Sequence, residues 1–139
     1  MKRLDPLSPE ERSERMSRVR QKDTRPEMRV RRLVHGLGYR YRLHGAGLPG
    51  KPDLVFAGRR KVIFVHGCYW HRHDCKNGQR LPKTRLDFWL PKLKRNAERD
   101  REIIEQLGEI GWEALVIWEC ETKDTDALTK KIRRFLETD

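Results

Sequence analysis

Hydrophobic positions along the chain switch between helical and extended spacing, and the switches mark out its elements. Ser8-Pro9-Glu10-Glu11 is a capping box with proline at the first helical position, which predicts a helix to about Arg20. That helix carries Arg12, Arg15, Arg18 and Arg20 but only Met16 and Val19 as apolar residues. A helix with so little to bury is weakly held alone, so residues 1–22 are expected to be mobile until their arginines settle on a partner of opposite charge. Thr24-Arg25-Pro26-Glu27 repeats the signature and opens a second helix to about Leu37, with Met28, Leu33, Val34 and Leu37 as its inner stripe. Tyr39 to Leu43 alternates and reads as an edge strand, while Leu54–Phe56 and Val62–Val65 flank the turn Gly58-Arg59-Arg60 as a hairpin. Thr84-Arg85-Leu86-Asp87 predicts a short helix carrying Phe88, Trp89 and Leu90, at least one of them core. Pro91 suits the first turn of a longer helix, with Leu93, Ala97, Ile103, Ile104 and Leu107 facing inward. Glu113–Trp118 reads as a fourth strand and Thr125–Leu136 as a closing helix.

The order α-α-β-β-β-α-β-α describes an α/β protein, a mixed central sheet flanked by helices in one domain over residues 1–139. The crossover from the third strand to the fourth, through the long helix, predicts that this pair is parallel. Their C-terminal ends then share one edge, which brings Cys68 near Cys120.

Charge adds a partner to this picture. Lys and Arg number 32 against 21 Asp and Glu, a formal charge of +11. So one-sided an excess points to a polyanion, nucleic acid first, over an ordinary solvated surface. No signal peptide and no stretch of about 18 apolar residues is present, so a soluble intracellular protein without membrane contact is expected. Three cysteines are an odd number, which argues for thiols or metal ligands rather than a disulfide framework.

The chemistry concentrates in Lys61–Cys75, KVIFVHGCYWHRHDC, where an apolar run passes abruptly into cysteines, histidines and aromatics. Cys68, His73, Cys75 and Cys120 form a three-sulfur, one-nitrogen set suited to structural zinc; the same residues also read as free thiols beside a surface histidine. Asp53 at a strand start is placed to hold a hard cation such as Mg2+, or simply to cap the strand. His66 and His71 lie just past the partner strand, where imidazoles suit proton transfer near neutrality. Asp53, His66 and His71 together meet the needs of phosphodiester hydrolysis. Glu27 is a further carboxylate, or only the acid of its capping box. Tyr69, Trp70 and Trp89 are interleaved with cations, as base-stacking residues are, although Trp89 fits helix core equally well.

The segments LPGKPDLVF, VIFVHGCYWHRHDC, TRLDFWLPKLKRNAERD and GWEALVIWEC resemble those of the very-short-patch-repair (Vsr) DNA mismatch endonucleases, relatives of the PD-(D/E)XK nucleases. The resemblance runs from about Arg12 to Leu136. It implies a restriction-endonuclease-like fold and Mg2+-dependent nicking 5′ to the T of a T:G mismatch, the lesion left when 5-methylcytosine deaminates. It implies Asp53 and the Val65 backbone carbonyl as Mg2+ ligands. His71 falls to general base, His66 to phosphate contact or acid, and Glu27 to assistance from its helix. Cys68, His73, Cys75 and Cys120 match the structural Zn2+ ligands, and Tyr69, Trp70 and Trp89 the aromatic wedge. Met16 falls on the helix pressed into the opposite groove, and Lys92 and Asn96 on a DNA-contacting helix. A monomer in the cytoplasm, at the nucleoid, with MutL-type repair proteins as partners, belongs to the same expectation.

Departures from the pattern are informative. Phe64 and His66 stand where an acid and a lysine would complete the PD-(D/E)XK signature, which shifts acid–base duty to histidine. Val65 replaces a threonine, and Tyr69 replaces a phenylalanine, adding a hydroxyl that needs a partner. A restriction enzyme of the same fold cutting matched duplex, a zinc-stabilised DNA-binding module without catalysis, and a cysteine-based redox enzyme are the competing functions.

Overall fold

The computed structural model describes residues 24–45 and 47–138; the expected N-terminal helix and Met16 lie outside them. The elements run α1 (Arg25–Gly36), β1 (Arg42–Leu43), β2 (Leu54–Phe56), β3 (Lys61–His66), α2 (Leu86–Glu109), β4 (Glu113–Trp118) and α3 (Thr125–Glu137). The four strands form one sheet in the order β1-β2-β3-β4. β2 pairs antiparallel with β1 and with β3, while β3 and β4 are parallel over Lys61↔Glu113 to His66↔Trp118. The mixed sheet and the parallel crossover follow the sequence expectation.

Alternation along the strands divides the core into two layers. Leu54, Phe56, Ile63 and Ile117 point to one face, where Val30 and Val34 of α1 and Leu128, Ile132 and Leu136 of α3 cover them. Val55, Val62 and Phe64 point to the other, against Leu107 of α2, with Ile103, Trp112 and Val116 packed alongside. Because β3 is covered on both faces, its sequence is a continuous apolar run instead of an alternating one.

Three local expectations are corrected. The segment with Phe88, Trp89 and Leu90 is not a separate helix: α2 is continuous from Leu86 to Glu109 with Pro91 inside it. Pro91 stands in the second turn, where its ring sacrifices one backbone bond near an end that is exposed anyway. None of those three residues is fully buried. The inner stripe of α1 is Glu27, Val30 and Val34, with Met28, Leu33 and Leu37 only partly covered. A carboxylate therefore occupies a position that hydrophobicity alone assigns to a neighbour. β1 is shorter than Tyr39–Leu43, because Tyr39 and Tyr41 turn to pack on the α1–α3 side instead of pairing. No helix among the described residues is long and apolar enough to cross a membrane.

Lys61 fixes the last helix. It is 3% exposed, and its ammonium donates to the carbonyls of Phe135 (2.5 Å) and Thr138 at the C-terminal end of α3. Arg59 donates to the Leu136 carbonyl at 2.7 Å. Cations here satisfy carbonyls that have no partner within the helix and oppose its dipole. Lys61→Met keeps the buried stem and removes the donors. Urea unfolding is expected to show a loss of about 1–3 kcal/mol, concentrated in the docking of α3.

Candidate active site

The site is assembled at the carboxyl ends of β3 and β4, with contributions from α1, the β1–β2 connection and the middle of α2. Asp53 directly precedes β2. Its carboxylate accepts the backbone N–H of Val65 across the hairpin at 2.7 Å, which aims it at the end of β3. Burial pushes the Asp53 carboxyl up to about 8; the Val65 N–H works against that, and Glu27 adds to it. Glu27 is 1% exposed on the sheet-facing side of α1 and is paired with Arg31 one turn on. His44 Nε2 lies 3.2 Å from Glu27 Oε2, and donor atoms of Glu27, His44 and Asp53 all fall within 4.8 Å of one another.

His66 and His71 stack ring on ring, centroids 3.9 Å apart and 4° from parallel. Asp100 on α2 meets His71 Nδ1 at 2.6 Å, whereas His66 Nδ1 is 3.9 Å away, buried and without a hydrogen-bond partner. Burial, with His71 beside it, holds His66 down at about 3 despite Asp100, so this ring is neutral at physiological pH. Asp100 fixes the opposite polarity on His71: with the proton on Nδ1, Nε2 is left as an acceptor. The two sets are contiguous, since Val65 anchors Asp53 and His66 follows it in the chain.

A second cluster lies on the other side of Trp118. Ligand atoms of Cys68, His73, Cys75 and Cys120 fall within 4.8 Å of one another. The parallel pairing does place Cys68 and Cys120 together, and the Cys120 N–H donates to Cys68 Sγ at 3.4 Å. Gly78 N–H donates to Cys75 Sγ at 3.3 Å and draws that thiol below its ordinary value, while burial pushes Cys68 up to about 12. Amides aimed at sulfur favour thiolate, and three sulfurs with one imidazole fit a tetrahedral soft-ligand dication. Gly78 is required by space: a Cβ there would meet the His73 carbonyl oxygen at 2.0 Å. Trp118 stacks on His73 (4.2 Å, 15°) and meets His66 edge-on at 5.3 Å, so it joins the two clusters.

Aromatic side chains flank this edge as a connected series of T-shaped contacts. Tyr69 meets Trp70 at 5.3 Å, Trp70 meets Trp89 at 6.0 Å, and Phe88 meets Trp89 at 5.2 Å. Arg80 lies over Tyr69, and Lys92 over Phe88 and Trp89. Asn96 donates its side-chain amide to the Trp70 carbonyl at 3.2 Å and so ties the aromatic loop to α2.

Sequence reasoning singled out Asp53, His66, His71, Glu27 and the four sulfur and nitrogen donors, and the structure gathers them at this edge. It missed His44, Asp100 and Trp118. Asp100 carried a signal: Leu93, Asn96, Asp100, Ile103 and Leu107 repeat at helical spacing, and two polar members interrupt an otherwise apolar stripe. His44 carried none beyond its residue type.

A mixed sheet that presents buried acids and histidines at one edge, beside a cysteine–histidine cluster, defines a restriction-endonuclease-like α/β protein. The family model described as "DNA mismatch endonuclease Vsr" matches residues 4–77. A type II nicking enzyme of Xanthomonas oryzae pv. oryzae is 52% identical over 133 residues, 96% of this chain and 97% of the relative. The DNA mismatch endonuclease Vsr of Escherichia coli is 44% identical over 118 residues, 85% of this chain and 75% of its own. A type II nicking enzyme of Neisseria meningitidis serogroup A is 38% identical over 87% of this chain and 86% of its own. The chain belongs to the Vsr family of DNA mismatch endonucleases and is a DNA-cleaving hydrolase.

The sulfur cluster makes its own prediction. With a metal bound, the Cys68–Cys75 loop is tied to the end of β4, so binding free energy becomes folding free energy. Stripping metal with a strong chelator, or Cys75→Ser, is expected to lower Tm well beyond the few degrees of a surface change. Calorimetry before and after chelation, with metal analysis, checks this.

Proposed function

We propose that the chain nicks one strand of duplex DNA 5′ to the T of a T:G mismatch, in Mg2+-dependent phosphodiester hydrolysis that begins very short patch repair. The observation that carries this reading is the alignment of Asp53 on the Val65 N–H, one residue from the His66–His71 stack. It joins an acid suited to a cation with imidazoles suited to proton transfer. The Asp53 and Glu27 carboxylates are buried with Arg31 as a nearby counter-charge, which favours a further cation at Asp53. Asp53 and the Val65 carbonyl would hold Mg2+, which would supply charge neutralisation at the phosphate and lower the pKa of water.

The remaining roles fall to the chain's own groups. His71, oriented by Asp100, takes the proton of the attacking water on Nε2. His66, kept neutral, contacts the phosphate as an N–H donor. This departs from a charged-acid role. Glu27 assists from α1. The products carry 5′-phosphate and 3′-hydroxyl ends. Zn2+ is the ion we assign to Cys68, His73, Cys75 and Cys120.

Mismatch preference is attributed to Tyr69, Trp70 and Trp89. A T:G wobble is weakly stacked, so opening the step beside it costs less than at a matched pair, and the aromatics fill the gap. Met16 presses from the opposite groove, and Lys92 and Asn96 align the DNA along α2. A monomeric working state in the cytoplasm and a MutL-type partner belong to the same reading.

Nicking of an end-labelled duplex with a central T:G pair in several flanking contexts, beside a T:A control, tests the proposal. Wild type with Mg2+ is expected to nick beside the T only in the mismatch, and Asp53→Ala to lose at least about 10²-fold in rate. Equal cutting of T:A would leave an endonuclease without mismatch specificity, the matched-duplex alternative. Trp70→Ala is expected to lose both rate and mismatch preference. Wild-type discrimination in that variant would refute the wedge.

A further inference from the structure

Four rings at the end of β3 and β4 form one block, and two of them have no role in the reading above. His66 and Trp118 are register partners on the parallel strands, so their side chains leave the sheet on the same face. The loop after β3 returns over both. His71 lies flat on His66 (3.9 Å, 4°) and His73 lies flat on Trp118 (4.2 Å, 15°), with Arg72 between them in the left-handed region at φ 54°. Trp118 meets His66 edge-on at 5.3 Å and so closes the block.

The two histidines of the proposed reaction are short of other restraints. His66 Nδ1 is buried without a hydrogen-bond partner, so that ring is oriented by what packs on it: His71, Trp118, and Phe64 at 5.7 Å. His71 has one side-chain hydrogen bond, to Asp100. A single bond fixes one point of an imidazole, and its outer torsion has a broad well, so the plane of the ring is left to the stack. Trp118, by contrast, is fixed from two sides. Its N–H donates to Glu121 Oε1 at 2.9 Å, and Glu121 Oε2 meets Lys131 of α3 at 2.6 Å. Its indole face rests on His73, whose Nδ1 lies 3.6 Å from Cys120 Sγ within the sulfur cluster.

We propose that Trp118 is a positioning residue for the nicking reaction: it carries the fixed place of His73 across to His66, and through the stack sets the plane of His71. The inference rests on the assignment of His71 as the proton acceptor. Metal at the sulfur cluster would then serve the reaction by holding His73 still, beyond its part in folding. An indole is broad enough to touch both neighbours, and a flat ring is what each of them packs against.

Zinc-loaded full-length protein with Trp118→Leu and Trp118→Phe tests this, by nicking of the T:G duplexes described above and by nuclear Overhauser contacts between the His66 and His71 rings. Trp118→Leu is expected to lose the ring–ring contact and about ten-fold or more of kcat with KM unchanged, since small misplacements of a reacting group cost rate. Trp118→Phe is expected to restore most of both. A merely structural tryptophan would be replaced equally well by either residue, and its loss would register in Tm instead of kcat. His73→Cys keeps a fourth donor for zinc while removing the ring. In its zinc-loaded form it is expected to lose kcat as Trp118→Leu does; wild-type kcat there would place the whole effect in the metal and counts against the proposal. Retention of either the ring–ring contact or the wild-type kcat in Trp118→Leu overturns it, as does an equal loss in Trp118→Phe. His71→Ala separates the two levels. If it abolishes nicking while Trp118→Leu nicks normally, only the role of Trp118 fails. If His71→Ala nicks at the wild-type rate, the assignment of His71 fails and this inference with it.

Discussion

Parallel pairing of β3 with β4 is the constraint on which the rest of the molecule depends. It runs from Lys61↔Glu113 to His66↔Trp118 and brings both strands to a common end. Parallel strands require a long crossover, and α2 supplies it while covering the face formed by Val55, Val62 and Phe64. The crossover also carries Asp100 back over the carboxyl edge to reach His71. Two clusters of different chemistry thus grow from adjacent strand ends: acids and stacked imidazoles on one side, sulfurs on the other. Trp118 lies between them, in register with His66.

Electrostatically the site inverts its surroundings. The chain carries +11 overall, yet Glu27 and Asp53 are both less than a tenth exposed and lie side by side. A positive surface draws in a polyanion, while a buried pair of carboxylates draws in a cation. On the proposed reading, phosphate and cation are thereby directed to the same place by charges of opposite sign. The neutral His66 suits this location, because a charged ring buried there, 3.9 Å from the His71 ring, would bear the full cost of its desolvation.

The fold was legible where one rule acted alone. β3 announced itself as an apolar run, β4 as another, and α3 by its periodicity; all three fall within a residue or two of expectation. Legibility failed where an inward-facing polar side chain displaced a hydrophobic one. Glu27 on the inner side of α1 misdirected the stripe toward Met28 and Leu33, and Asn96 and Asp100 broke the apolar repeat of α2. Pro91 suggested a helix start because proline usually marks one, but nothing in the sequence states that Leu86–Leu90 continues into the same helix. His44 was beyond reach for another reason: its place depends on the register of a two-residue strand, which no pattern of that length encodes.

The long crossover has a consequence for how the activity appears during biosynthesis. Asp53 and His66 belong to a local hairpin, but Asp100 and Cys120 join them only after α2 has folded across the sheet and β4 has docked. Such non-local parallel pairing is slow relative to hairpin formation, since loop-closure entropy is lost before contacts repay it. On the proposed assignment, a partly folded chain would then present its positive charge to DNA before the groups assigned to cleavage are together. The topology itself acts as a timing safeguard: the molecule becomes a nuclease last, after it has become a folded protein.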